Sequence, residues 1–224
     1  MAVYDARPEI INPKVEEYLY RVLRPRDSVL EYLEKDAEKN DVPIVGPLVG
    51  NFLSLIAENC KAKNILEVGT ATGYSGIWLG RVAKKNGGKL TTIEFDPARV
   101  KIAKKSFQDA GLGDTVEILK GDARVEVPRA VKSQSARFDV AFIDVGDKSL
   151  YTDLLDDCVR SLRIGGYLLA DNTLWSGKVA DSSKNDRDTK TLREFNKRVY
   201  SDKRLHPAII PLRDGVTVAL KLTD

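Results

Sequence analysis

One histidine and two cysteines in 224 residues close off whole classes of chemistry. A Ser-His-Asp hydrolase needs an imidazole as its base, and the single candidate, His206, precedes Pro207 at an expected strand start, which suits an edge or surface place. One imidazole cannot build a histidine-based metal site. Cys60 and Cys158 lie far apart and fit no metal or redox spacing, so both are expected to be buried free thiols in a reducing compartment. No apolar run approaches the length that crosses a bilayer, and MAVYDARPEI lacks the basic and then apolar regions of a secretory leader. A cytoplasmic protein without a membrane partner is the expectation. Charge of one sign is scarce too: 36 basic against 33 acidic residues leave a formal +3, too small and too interspersed for a nucleic-acid footprint.

What is present is hydrophobic content of 42%, enough for a core on both faces of a sheet in one domain spanning 1–224. Residues 12–40 read as two amphipathic helices broken near Pro25, the centre of an accessory segment over 1–42, and 44–60 reads as a more apolar helix opening at Gly46 and Pro47. From KNILEVG onward strand and helix signals alternate. ARVEVPRAVK reads as a helical region broken near Pro128, LYTDLLDDCVRSLRIGG as a helix ending at its glycine pair with YLLADN as the next strand, and AIIPLRDGVTVALKL as two strands around Asp214 and Gly215. Such alternation predicts an α/β fold: a doubly wound, mostly parallel sheet with a C-terminal antiparallel hairpin and extra N-terminal helices. WSGKVADSSKNDRD, 175–188, is the expected loop.

Ligands of such sheets lie outside the carboxyl ends of the strands, and here those ends are acidic. The first strand delivers Glu67 and a turn with Gly69 and Gly73, the second Glu94, the third Gly121, Asp122 and Ala123, the fourth Asp144, the fifth Asp171 and Asn172. The first turn is G-x-x-x-G rather than the G-x-G-x-x-G that brings backbone against a pyrophosphate, which argues against an NAD-dependent oxidoreductase. Glu94 stands where an acid accepts both ribose hydroxyls. A nucleoside with an ammonium group and a sulfonium suits these carboxylates, and S-adenosylmethionine has those groups.

E67-V-G-T-A-T-G-Y-S75, T92-I-E94, G121-D-A123, F142-I-D144, A170-D-N-T-L-W-S-G177 and L212-R-D-G215 together resemble the cation-dependent O-methyltransferases of the caffeoyl-coenzyme A and catechol type. The resemblance runs in order from about residue 42 to the C-terminus. It implies a class I methyltransferase fold with donor contacts from Val45, Glu67, Gly69, Thr70, Ser75, Glu94, Ala123 and Asp144. It further implies a divalent metal, usually magnesium, on Asp144, Asp171 and Asn172. That oxygen set suits magnesium, and two converging aspartates call for a cation or a raised pKa. The expected reaction is methyl transfer to a vicinal diol of a small molecule, with Asp144 and Lys148 as the catalytic pair and Lys148 as base. Self-association as a homodimer through the N-terminal helices is a further expectation.

The chain departs from the family at one place. The usual D-A-D-K-x-x-Y reads D144-V-G-D147-K-S-L-Y151, one residue longer, so Lys148 is either displaced along the loop or kept in place by a bulge at Gly146. Several residues have plainer readings: Asp147 as a helix cap, Tyr151 as packing with its hydroxyl near the site, Trp175 as a loop anchor, and Asp214 with Gly215 as a hairpin turn without a role in chemistry. The rivals are an RNA methyltransferase, which normally needs a basic groove and a base-pocket motif such as N-P-P-Y, absent here, and a non-catalytic donor-binding module.

Overall fold

The computed structural model describes residues 10–133 and 137–224; residues 1–9, with the start of the expected accessory segment and the stretch read for a secretory leader, fall outside the described residues. Helix α1, Pro13–Val22, opens with Asn12 accepting the Lys14 amide, and α2, Ser28–Asn40, opens with Asp27 accepting from Val29 and Leu30. Each cap satisfies amides that the first helical turn leaves without partners. In α2 the buried residues Leu30, Leu33 and Ala37 form one stripe at helical spacing. Helix α3, Gly46–Asn59, is more apolar and leads into the sheet.

Seven strands follow: β1 Asn64–Val68, β2 Lys89–Glu94, β3 Val116–Lys120, β4 Phe138–Ile143, β5 Leu162–Ala170, β6 Leu205–Ile210 and β7 Val216–Lys221. Between them lie α4 Tyr74–Lys85, α5 Pro97–Asp109, α6 Ala123–Ser133, α7 Ser149–Ser161 and α8 Arg187–Ser201. The sheet runs in the order β3-β2-β1-β4-β5-β7-β6, with β7 antiparallel to both its neighbours and the other pairs parallel. His206 and Pro207 sit on the edge strand β6, with His206 exposed, as expected of a proline that cannot donate to a central ladder. Alternate strand residues feed two cores. Ile65, Val140 and Phe142 join α2–α5 on one face, and Leu66, Ala141 and Ile143 join α6–α8 on the other.

Two boundaries differ from those read in the sequence. The glycine pair does not end α7; β5 begins at Leu162 and runs through it, with the register against β4 shifting from Phe138↔Leu162 to Val140↔Tyr167. The extra residues form an irregularity that only the sheet partner reveals. Pro128 does not break α6, which is continuous across it. Sixth of the eleven residues of α6, the proline removes a single backbone bond, and Val127 and Ala130 stay packed in the core.

Both thiols are free. Cys158 is buried and Cys60 half-buried, and burial pushes them up to about 12 and about 11, out of the reactive range. Among the described residues no helix is long and apolar enough to cross a membrane.

Candidate active site

The chain order reverses between β1 and β4, and the crevice outside their carboxyl ends is a cavity of about 660 Å³, a size that suits a cofactor with a small second ligand. Gly69 makes the crevice possible. A Cβ there would stand 1.8 Å from the Asp144 carbonyl oxygen, and φ is +103°, so the turn passes over β4 only because the residue has no side chain. The wall carries Gly69, Ala71, Glu94 and Ala123 on the β1–β3 side, and Asp144, Lys148, Asp171 and Asn172 on the β4–β5 side.

Glu94 faces the cavity while its two oxygens accept from the backbone, Oε2 from Ala71 N at 2.8 Å and Oε1 from Asp96 N at 2.9 Å. The carboxylate therefore fixes the glycine turn and still has lone pairs for a ligand. Phe95, 73% exposed, follows it on the wall. Glu67, Thr70, Ser75 and Val45 are not on the wall. Glu67 shares the strand face of Ile65, two residues earlier, so it points beneath α4 rather than outward. There the Thr92 hydroxyl donates to Oε2 at 2.6 Å and the Thr70 hydroxyl meets that of Thr92 at 2.6 Å, while Oε1 is buried without a partner. Burial pushes the carboxyl up to about 7, against the pull of Thr92 and Ser75. Val45 is buried at the start of α3, its carbonyl taken by Arg213.

On the other side Lys148 lines the cavity. The loop passes through exposed Gly146, and Lys148, 3% exposed, donates to Val145 O at 2.8 Å, Asn172 Oδ1 at 2.8 Å and Tyr151 Oη at 3.2 Å. Three acceptors satisfy three ammonium protons. Burial pulls the ammonium below the usual lysine range, opposed by Asp144, Asp171 and Asp214. Asp147 accepts from Ser149 N at 3.0 Å and so caps the first turn of α7. Tyr151 is buried, its hydroxyl donating to Asp171 O at 2.9 Å, and its ring meets Phe195 edge-on. The Trp175 ring lies 5.2 Å from the Lys148 ammonium.

Asp171 is 5% exposed and its Oδ1 has no hydrogen-bond partner, while Asn172 Nδ2 reaches Oδ2 at 3.4 Å. Burial first and Asp144 second push its carboxyl up to about 7. A buried, unpartnered carboxylate oxygen beside a second carboxylate and an amide oxygen fits a hard divalent cation. Among the described residues no group of three or more His, Cys, Asp or Glu is placed to hold a metal ion.

Sequence reasoning missed Asp214. It is buried on the cavity wall, its Oδ1 accepting the Ser176 amide, and is thus more than a hairpin turn. The D-G pair hid it, because turn chemistry explains both residues without reference to a site. Pro43, Ile44, Arg99 and Arg124 also line the cavity and carried no sequence signal.

The sequence pattern of the O-methyltransferase family matches residues 25–222. A catechol O-methyltransferase from Niastella koreensis is 34% identical over 213 residues, covering 92% of this chain and 96% of that protein. The O-methyltransferase TomG from Streptomyces achromogenes, solved with S-adenosylmethionine, superposes with a TM-score of 0.85 at 28% identity, over 94% of this chain and 96% of that one. An O-methyltransferase from Bacillus cereus, solved with S-adenosylhomocysteine, gives 0.84 at 30% identity, over 93% and 97%. With a family match across nearly the whole chain and a cavity at the switch point of the sheet, the chain belongs to the O-methyltransferase family and is an S-adenosylmethionine-dependent O-methyltransferase.

Proposed function

We propose that the enzyme methylates one hydroxyl of a vicinal diol on a small aromatic molecule, and that Asp144, Asp171 and Asn172 hold a divalent cation, magnesium by the chemistry of the donors, against which that diol is presented. The carrying observation is Asp171: a buried carboxylate oxygen with no partner, next to Asp144 and Asn172. When bound, the cation supplies charge that lowers the pKa of a coordinated hydroxyl.

The chain's own residues do the rest. Gly69, Ala123 and Glu94 receive the donor along the β1–β3 wall, with Glu94 accepting from the ribose and Asp144 closing the wall where the two ligands meet. Thr70, Ser75 and Glu67 act from behind, fixing the turn through the hydroxyl chain to β2, and Val45 backs the wall at Pro43 and Ile44. Lys148 takes the acceptor's proton on Nζ, its ammonium already destabilised by burial. The acceptor oxygen then displaces the sulfonium sulfur directly: the O–CH3 bond forms as the S–CH3 bond breaks, and neither residue forms a covalent intermediate. Alignment of the two ligands supplies much of the acceleration.

The test is a panel of catechols, caffeoyl esters and matched monophenols with magnesium and labelled donor. Methylation of diols alone is expected, and equal methylation of monophenols overturns the proposal. We further propose that two copies of the chain associate through α1, which buries no residue and leaves Val15, Tyr18 and Val22 half or more exposed. Sedimentation velocity checks this: a dimer is expected, and a monomer across the concentration range overturns it.

A further inference from the structure

Two neighbouring side chains of the turn between β6 and β7 reach separate segments of the cavity wall. Arg213 is buried, and its guanidinium donates from Nη1 to the carbonyl oxygens of Ile44, at 3.2 Å, and Val45. Ile44 and Pro43 line the cavity. Asp214, 4% exposed, accepts the Ser176 amide on Oδ1, and Ser176 with Trp175 lines the cavity as well. The backbone of the same turn adds Leu174 N to Asp214 O at 2.9 Å and Thr173 N to Gly215 O at 3.0 Å. Gly215 permits this approach, since a Cβ there would stand 2.4 Å from Leu174 Cγ.

The segment held this way is strained. Asn172, Trp175, Ser176 and Gly177 have φ of +58°, +49°, +53° and +74°, a conformation that side chains other than glycine and asparagine rarely adopt. Such a run persists only where its surroundings over-determine it. The 213–215 turn supplies the hold, and one dipeptide thereby fixes the 43–45 and the 173–177 segments relative to each other.

We propose that Arg213 and Asp214 form a clamp that sets the shape of the acceptor mouth and so the selectivity among diols, acting as positioning residues rather than touching the reacting atoms. The clamp's effect on selectivity rests on the diol-methylating reading above; the clamp itself does not.

The test combines kinetics on catechol and a caffeoyl ester, calorimetric binding of S-adenosylhomocysteine, and amide hydrogen exchange. Asp214→Ala is expected to raise the acceptor KM about tenfold, the equivalent of one hydrogen bond, with kcat and S-adenosylhomocysteine affinity within about threefold. Exchange at 173–177 rises in the same variant. Asp214→Asn keeps an oxygen for the Ser176 amide and is expected to restore KM to within about threefold of wild type and to restore exchange protection. Arg213→Lys keeps the charge but loses the fork, so exchange rises at 43–46 and the catechol-to-caffeoyl selectivity changes by about fivefold or more. Three results overturn the clamp: equal loss in Asp214→Asn and Asp214→Ala, which makes the charge the working feature; parallel loss of donor affinity in Asp214→Ala; or unchanged exchange at both segments. If wild type methylates no diol, the acceptor assignment fails and the clamp is judged by exchange alone: faster exchange at 173–177 in Asp214→Ala but not in Asp214→Asn sustains it, and no difference overturns it.

Discussion

The turn after β1 and the loop after β5 both use left-handed backbone, and they hold it by opposite means. In the first, two of the three such residues are glycines, Gly69 and Gly73 with Ala71 between them, and the bonds that close it come from the turn and from β2 next to it. In the second, Asn172, Trp175 and Ser176 carry the strain with only Gly177 as a glycine, and the hold comes from a turn some 40 residues onward, at Asp214 and Gly215. The β1 side of the cavity is thus fixed by residue choice and the β5 side by tertiary contact. The buried acids, each with one oxygen unpartnered, differ in the other: Glu67 Oε2 accepts from the Thr92 hydroxyl at 2.6 Å, whereas Asp171 Oδ2 has only Asn172 Nδ2 at 3.4 Å and lies beside Asp144.

The largest effect expected from breaking this contrast is at Asp171. Asp171→Ala should lower kcat/KM by about 10²–10³ by removing a proposed cation ligand, with S-adenosylhomocysteine affinity unchanged in calorimetry. Metal-free thermal stability should not fall, because a buried carboxyl beside a like charge is removed rather than a partner. A drop in melting temperature with activity retained would assign Asp171 to the scaffold.

Next is Lys148→Met, which preserves length and apolar stem. Steady-state kinetics should show kcat lower by about 10² with acceptor KM within about threefold, the mark of a lost proton acceptor. Retained kcat removes Lys148 as the base and leaves the cation proposal standing.

Glu67 probes the β1 side through pH. Its carboxyl moves from 4.5 to about 7, so the folded chain holds the proton more tightly than the unfolded chain does. That contribution to stability is complete below about 4.5 and is lost as pH rises to about 7. Glutamine stays neutral, so Glu67→Gln should flatten this limb and stabilise the protein at about pH 8 by on the order of 1–3 kcal/mol in denaturant unfolding. An unchanged pH dependence would mean that Glu67 does not carry it. The smallest effect is at Tyr151→Phe, which removes the hydroxyl between Lys148 and the Asp171 carbonyl: about 1 kcal/mol of stability by thermal unfolding, with kcat lower by less than about tenfold.

The same contrast explains what the sequence made legible. Gly69 and Gly73 after an apolar strand, with acids at successive strand ends, announce a doubly wound sheet and its crevice, because glycine and the strand period are local signals. That Glu67 turns beneath α4 follows from strand alternation, yet only the packing shows which face β1 gives to the cavity. The β5 irregularity and Asp214 stayed hidden because each depends on a partner far along the chain: the register against β4 in one case, the Ser176 amide in the other. Lys148 was left between two outcomes by the inserted residue, and its bond to Asn172 is a contact across 24 residues that no spacing rule contains.

The most direct test of the account is methyl transfer to a catechol by wild-type protein, first treated with chelator and then titrated with magnesium, alongside Asp171→Ala. The account predicts that turnover disappears with the chelator, returns with magnesium in wild type, and does not return in the variant. Undiminished turnover in the presence of the chelator would contradict it.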